Sequence, residues 1–298
     1  HDHLSMLENF TYNIALPAPS LYGQFNNLDD QDYVLTGLKK LGFDDVVEVA
    51  GAAELVSEAT RRLMDAGALK RPVISSACPA IVRLIRVRFP DLCDHVLPLL
   101  SPMETAATIA KQRAKEKTGL PEEKIGCFFI TPCPAKVTDI RMPIGIERSK
   151  VDGAIAISEI FPQLSNRMDK LSPEAVEPLS SSGILGVSWA SSGGESSALL
   201  KEKYLAADGI ENVIRVLEEI ARFYRAERLL RRLRRRRAVR RKPVCGDRAL
   251  AAPAPVPAGF AEPPRAERPG AAGDELERRA GVFKCADAFG RHRPRDAD

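Results

Sequence analysis

Strand-like and helix-like patterns take turns along residues 1–220, and this alternation confines the chain to an α/β fold more firmly than any other feature. Tyr12 to Leu16 is a short apolar run halted by Pro17 and Pro19. Residues 33–41 read as a helix ended by Gly42, and 46–49 as a β-branched strand. Residues 52–66 are rich in helix formers and stop at Gly67. Residues 72–76 predict a strand entering a tight turn, and 81–87 a helix that breaks near Pro90. Residues 102–118 predict a helix with Gly119 and Pro121 as stop signals. Strands are expected at 125–130, 151–157 and 184–189, and helices at 195–204 and 210–220. Alternation on this scale points to mainly parallel pairing.

The rest of the composition narrows the setting. With 44% apolar residues in 298, a sizeable core is available. No apolar run approaches the roughly 18 residues of a membrane span. The first residue is His1, and no basic-then-apolar leader follows it, which reads as a fragment or processed chain of a soluble protein. Six cysteines are too few for a disulfide scaffold, so reduced thiols and a cytoplasmic setting are expected. Charge divides the chain in two: residues 1–220 carry a net −7 and residues 221–298 a net +11. Two regions follow, a folded 1–220 and a separate basic tail of 221–298.

Polar and cysteine residues gather at three strand-to-loop junctions, where open α/β sheets place their binding sites. They read V-I-S-S-A-C-P at 73–79, F-F-I-T-P-C-P-A-K at 128–136 and W-A-S-S-G-G-E at 189–195. Cys78 and Cys133 each precede a proline, which fixes the turn and holds the thiol at a loop edge. A thiolate there serves as metal ligand or nucleophile, and a small buried apolar residue is the competing reading. Neither junction is a C-x-x-C. Cys127 lies within a strand and Cys93 at a helix end, and both read as packing. Lys136 is either a functional cation or a solvated lysine. Gly193-Gly194 either cradles an anion at a helix start or permits close packing. The four histidines form no cluster, and no hydrolase arrangement of Ser, His and Asp is visible.

The two cysteine junctions resemble, in order, the first two cysteine motifs of the iron-only hydrogenase large-subunit catalytic domain. That family's T-S-C-C-P corresponds to S-S-A-C-P here, and its M-P-C-x-x-K to T-P-C-P-A-K. A-P-S at 18–20, S-P-M-E at 101–104 and W-A-S-S-G-G at 189–194 resemble its A-P-[AS], S-P-Q and F-G-x-T-G-G segments. The resemblance covers about residues 10–220. It implies a two-lobed α/β domain, with mostly parallel sheets flanked by helices, around an H-cluster. That cofactor is a [4Fe–4S] cube joined to a two-iron subcluster. It further implies that Cys78 and Cys133 ligate the cube, with Lys136 hydrogen-bonding an anionic ligand of the two-iron site. Pro19, Ser20, Ala77, Pro102, Thr131, Trp189 and Ala190 would shape the pocket. A ferredoxin-type electron carrier, or a ferredoxin domain upstream, would be the electron partner.

Three departures qualify what the resemblance implies. Ala77 stands where the family has a proton-relay cysteine, and alanine carries no proton. Thr131 replaces the usual methionine. The family's third motif, of the form A-C-x-G-G-C, is absent from residues 200–298, where Cys245 and Cys285 lie far apart. Residues 228–242 instead hold nine arginines and one lysine, followed by an Ala/Pro-rich stretch. This composition is typical of GC-rich DNA read out of frame. Residues 226–246 admit a codon choice whose next frame reads L-N-A-C-C-G-G-C-V-G-G, the missing motif. The expectation is a frame change near residues 220–225, leaving a disordered basic tail.

Slow or absent hydrogen turnover, with sensing of hydrogen or redox state and a signalling partner, is the function this reading favours. A cluster-free α/β binding module is one alternative. Nucleic-acid binding through the arginine-rich tail is another, though the tail has few aromatics to stack on bases.

Overall fold

The computed structural model describes residues 2–26 and 28–240. Its centre is a four-stranded parallel sheet in the order β2-β1-β3-β4. β1 (Tyr12–Pro17) lies between β2 (Asp45–Val46) and β3 (Ile125–Thr131), and β4 (Gly153–Ala156) flanks β3. Ile14 is level with Cys127, and Ala15 with Phe128. Every residue of β3 is buried, as a parallel strand covered on both faces requires.

Alternation along the strands divides the core. Ile14, Leu16, Cys127 and Phe129 point to one face. There they meet α2 (Val49–Asp65), through Val49 and Ala52, and α4 (Pro102–Thr118), through Met103, Ala106 and Ala110. Ala15, Phe128, Ile130 and Ile155 point to the other face. They meet Val34, Leu35 and Leu38 of α1 (Asp32–Lys40) and Ile160 and Leu164 of α6 (Ile157–Met168). Gly37 lets α1 and α6 touch: a Cβ there would lie 2.7 Å from Leu164 Cδ1.

A further apolar cluster stands apart from the sheet. α3 (Pro79–Arg88) and the 3-10 turn Pro90–His95 contribute Val82, Ile85, Phe89 and Leu92. α9 (Ile210–Arg240) covers them with Leu217 and Ala221. Three short helices complete the described chain: α5 (Pro134–Arg141), α7 (Ile184–Val187) and α8 (Gly194–Ala198).

The α/β class and parallel sheet are those expected, and several boundaries differ. Residues 72–76 form only an isolated bridge between Ile74 and Val96. Ser76 Oγ donates to Leu99 O at 2.9 Å and Ser75 Oγ to Glu195, so hydroxyls tie this segment where a ladder would have. Residues 184–189, expected as a strand, are α7 followed by the 3-10 turn Ser188–Ala190. Glu54 Oε1 accepts the Gly186 N–H at 2.9 Å, placing a carboxylate at the start of that helix. Strand pairing at 46–49 ends at Val46, and Val49 already opens α2. The helix expected over 195–204 ends at Ala198, and Leu200 turns left-handed with φ 52°. The helix expected over 210–220 continues to Arg240, with Ala221 buried and Tyr224 packed on the α3 cluster, so the order continues past 220. Residues 241–298, with Cys245 and Cys285, lie outside the described residues.

Candidate functional site

Strand order reverses between β1 and β3, the position where ligand crevices form in open α/β sheets. Their carboxyl ends are tied by the Ala18 N–H donating to Ile130 O at 3.0 Å. From this edge the chain enters Pro19 and Ser20 on one side, and Thr131, Pro132 and Cys133 on the other.

Cys78 and Cys133 occupy near-identical backbone settings. Each is the residue before a helix whose first position is proline, with φ −97° at both and ψ 106° and 111°. Neither side chain caps its helix, so both thiols are left for other partners. A helix start presents unpaired backbone N–H groups, which favour negatively charged groups nearby. Cys78 is exposed and Cys133 half-buried. The reading of Cys78 as a small buried apolar residue is therefore overturned. Cys127 is fully buried in β3 and Cys93 packs beside α3, as expected of packing cysteines. Burial raises the pKa of both thiols, which keeps them protonated.

Lys136 joins the two turns. It lies on α5 just past Cys133, and its Nζ donates to Ala77 O at 2.8 Å, directly before Cys78. Burial pushes its ammonium pKa down, while Asp139, Cys78, Cys133 and Glu104 act in the opposite direction. The solvated-lysine reading does not survive this placement. Thr131 Oγ1 accepts the Cys133 N–H at 3.2 Å and so shapes the second turn.

Three carboxyl groups to which the sequence assigned no role act on this cation through their charge. Glu195, from the third junction, accepts from Ser75 Oγ and feels the charge of Lys136. Glu104 on α4 accepts from Ser149 Oγ and, at 3.0 Å, from the Lys150 N–H. Asp139 lies one turn along α5 from Lys136. Burial raises the pKa of all three. Glu104 and Asp139 line a cavity of about 40 Å³ with Ser76, Ser101 and Ile144. Its remaining walls are mainly apolar, among them Val82, Val96 and Leu99.

The remaining expected residues are spread around this centre. Trp189 packs on Val56, Ala59 and Leu99, and its Nε1 donates to Ser57 Oγ at 3.2 Å. Ala190 is exposed beside it, and the turn Ser188–Ala190 packs on the 3-10 turn Pro19–Gln24. Pro102 is buried as the first residue of α4. Gly193-Gly194 follows the close-packing reading: a Cβ on Gly194 would lie 1.8 Å from Ser188 O.

The donor set suits an iron–sulfur group in kind but not in number. Two cysteines and a lysine are brought together, whereas a cube takes four thiolates. Among the described residues no group of three or more His, Cys, Asp or Glu side chains is placed to hold a metal ion.

Comparison with known proteins agrees with the motifs. The NADP-reducing hydrogenase subunit HndD of Solidesulfovibrio fructosivorans is 32% identical over 115 residues, 36% of this chain and 20% of that protein. The cytosolic Fe–S cluster assembly factor nar1 of Emericella nidulans is 32% identical over 97 residues, 31% of this chain and 16% of that protein. Iron hydrogenase 1 of Clostridium pasteurianum is 23% identical over 142 residues, 44% of this chain and 24% of that protein. The chain thus spans at most about a quarter of these relatives' length. A solved [FeFe]-hydrogenase of Chlamydomonas reinhardtii superimposes with a TM-score of 0.49 at 21% identity, over 57% of this chain and 48% of that one. A sequence model of the iron-only hydrogenase large subunit, C-terminal domain, matches residues 11–225, and the chain belongs to that family.

Proposed function

We propose that this chain carries part of an iron–sulfur site of the hydrogenase type, with Cys78 and Cys133 as thiolate donors. The observation that carries the reading is the pair of matched Cys-Pro helix starts spanned by Lys136. The chain's own contribution is to fix two sulfurs at helix N-termini and to hold the Lys136 ammonium on the Ala77 carbonyl beside Cys78. An iron–sulfur group, when bound, supplies one-electron redox chemistry. Among the described residues this site supplies two of the four thiolates that a cube takes.

Ala77 offers no transferable proton at the turn before Cys78, so hydrogen turnover is slow or absent and a redox- or hydrogen-sensing role is favoured. The missing donors belong to the third motif, which a frame change within the codons for residues 211–246 restores. An electron carrier of ferredoxin type is the partner this reading calls for. The match to an Fe–S cluster assembly factor supports a second reading, in which the site holds iron without hydrogen chemistry.

The test starts with resequencing the gene across the codons for residues 211–246. Anaerobic reconstitution with iron and sulfide then follows, on both the given and the frame-restored chain. The expected result is iron and sulfide retained by the restored chain and lost in Cys78→Ser and Cys133→Ser. No retention by either chain overturns the proposal. In the restored chain, Ala77→Cys is expected to raise hydrogen turnover about a hundredfold, the usual contribution of a positioned acid–base group. Iron retention with no such rise selects the second reading.

A further inference from the structure

Glu195 ends a chain of hydrogen bonds along the turn that carries Cys78. Its carboxylate accepts from Ser75 Oγ. The same Ser75 oxygen accepts the Ala77 N–H at 3.0 Å. Lys136 Nζ donates to Ala77 O at 2.8 Å, so both polar groups of the residue before Cys78 are held. The chain of bonds joins all three junctions: Ser75 and Ala77 from the first, Lys136 from the second, Glu195 from the third. Glu195 reaches this position because Gly193, with φ 74°, turns the chain into α8, and Gly194 lets that helix start against Ser188 O.

From this geometry we infer that Glu195 is a positioning residue for the Cys78 thiol, acting through the Ser75 hydroxyl and the Ala77 peptide. The inference deepens the proposed function, since it rests on Cys78 being a donor. The turn needs such a clamp because residues 72–76 add no strand to the sheet and Ile74 makes only a single bridge. Cys133 lies two residues past the buried strand β3, and Thr131 at the strand's end holds its N–H. Loss of Glu195 therefore loosens one sulfur and leaves the other in place.

The test is alkylation of the metal-free full chain by iodoacetamide at one fixed pH. Peptide mass spectrometry reads Cys78 and Cys133 separately. Glu195→Ala is expected to speed Cys78 modification about fivefold, the effect of losing one hydrogen bond from the turn. Cys133 stays within about twofold, because additivity keeps separate sites independent. Ser75→Ala gives the same change, and the double variant adds nothing to either single one. Glu195→Gln, whose amide oxygen still accepts from Ser75, restores the original rate. Unchanged Cys78 in Glu195→Ala and Ser75→Ala overturns the inference, as does equal acceleration at both cysteines. Should Glu195→Ala fail to fold, Ser75→Ala with Glu195→Gln decides the question alone. Iron retention by the unaltered, frame-restored chain is read separately. If it fails while Cys78 responds as expected, the cluster reading falls and the positioning role stands.

Discussion

Lys111 and Asp152 meet at 2.9 Å with both side chains 9% exposed. Asp152 also accepts the Cys127 N–H at 2.9 Å, so the pair links α4 to the middle of β3. Removing one member leaves a buried charge unmatched. Lys111→Met is expected to lose about 3–5 kcal/mol in urea unfolding, and adding Asp152→Asn recovers most of it. Glu104 sets a pH dependence of less common sign. Its folded-state pKa is raised by burial, so the folded form holds its proton more tightly than the unfolded form. Stability is then full below the unfolded carboxylate pKa and declines as pH rises from there through the higher folded value. Glu104→Gln is expected to flatten that decline in denaturation curves taken at stepwise pH. At this scale the sequence announced the thiols and Lys136, because a Cys-Pro turn is a local event. It did not announce Glu104, Asp139 or Glu195, whose roles depend on which distant loop each carboxylate meets.

Among the elements, α4 was legible to the residue. Ser101 caps it, Pro102 opens it, and Gly119 ends it with φ 71°. Those are signals that short-range chemistry writes into neighbouring residues. α7 was not legible, since a six-residue apolar run fits a strand or a buried helix equally well. What decided it was contact with α2: a Cβ on Gly186 would lie 2.2 Å from Ala50 O, and Glu54 holds the helix start. Gly186→Ala is therefore expected to cost about 2 kcal/mol or more, as overpacking against backbone does. The chain's single tryptophan, Trp189, follows α7 directly. Its fluorescence emission is expected to shift to the red in this variant as its packing on Ser57 and Leu99 is lost.

Across the whole molecule, the sheet-centred core and the α3–α9 cluster bear differently on the two cysteines. Leu217 of α9 is 3% exposed against Ile85 and Leu92. Leu217→Ala is expected to cost about 2–5 kcal/mol. Amide exchange should quicken along residues 79–88 while β3 stays protected, because local opening follows the packing it depends on. The separation into sheet and helices could be read from periodicity alone. The dependence of α3 on a helix some 130 residues later could not, since no local pattern encodes so distant a contact.

Two sulfurs with matching backbone angles thus hang from unlike supports. Cys133 extends a buried strand in the middle of a sheet. Cys78 extends a tether stitched by hydroxyls and one bridge. Mechanically this is a vise with one fixed jaw. Compliance lies almost wholly on the Cys78 side, so displacing that sulfur leaves the register of the sheet untouched.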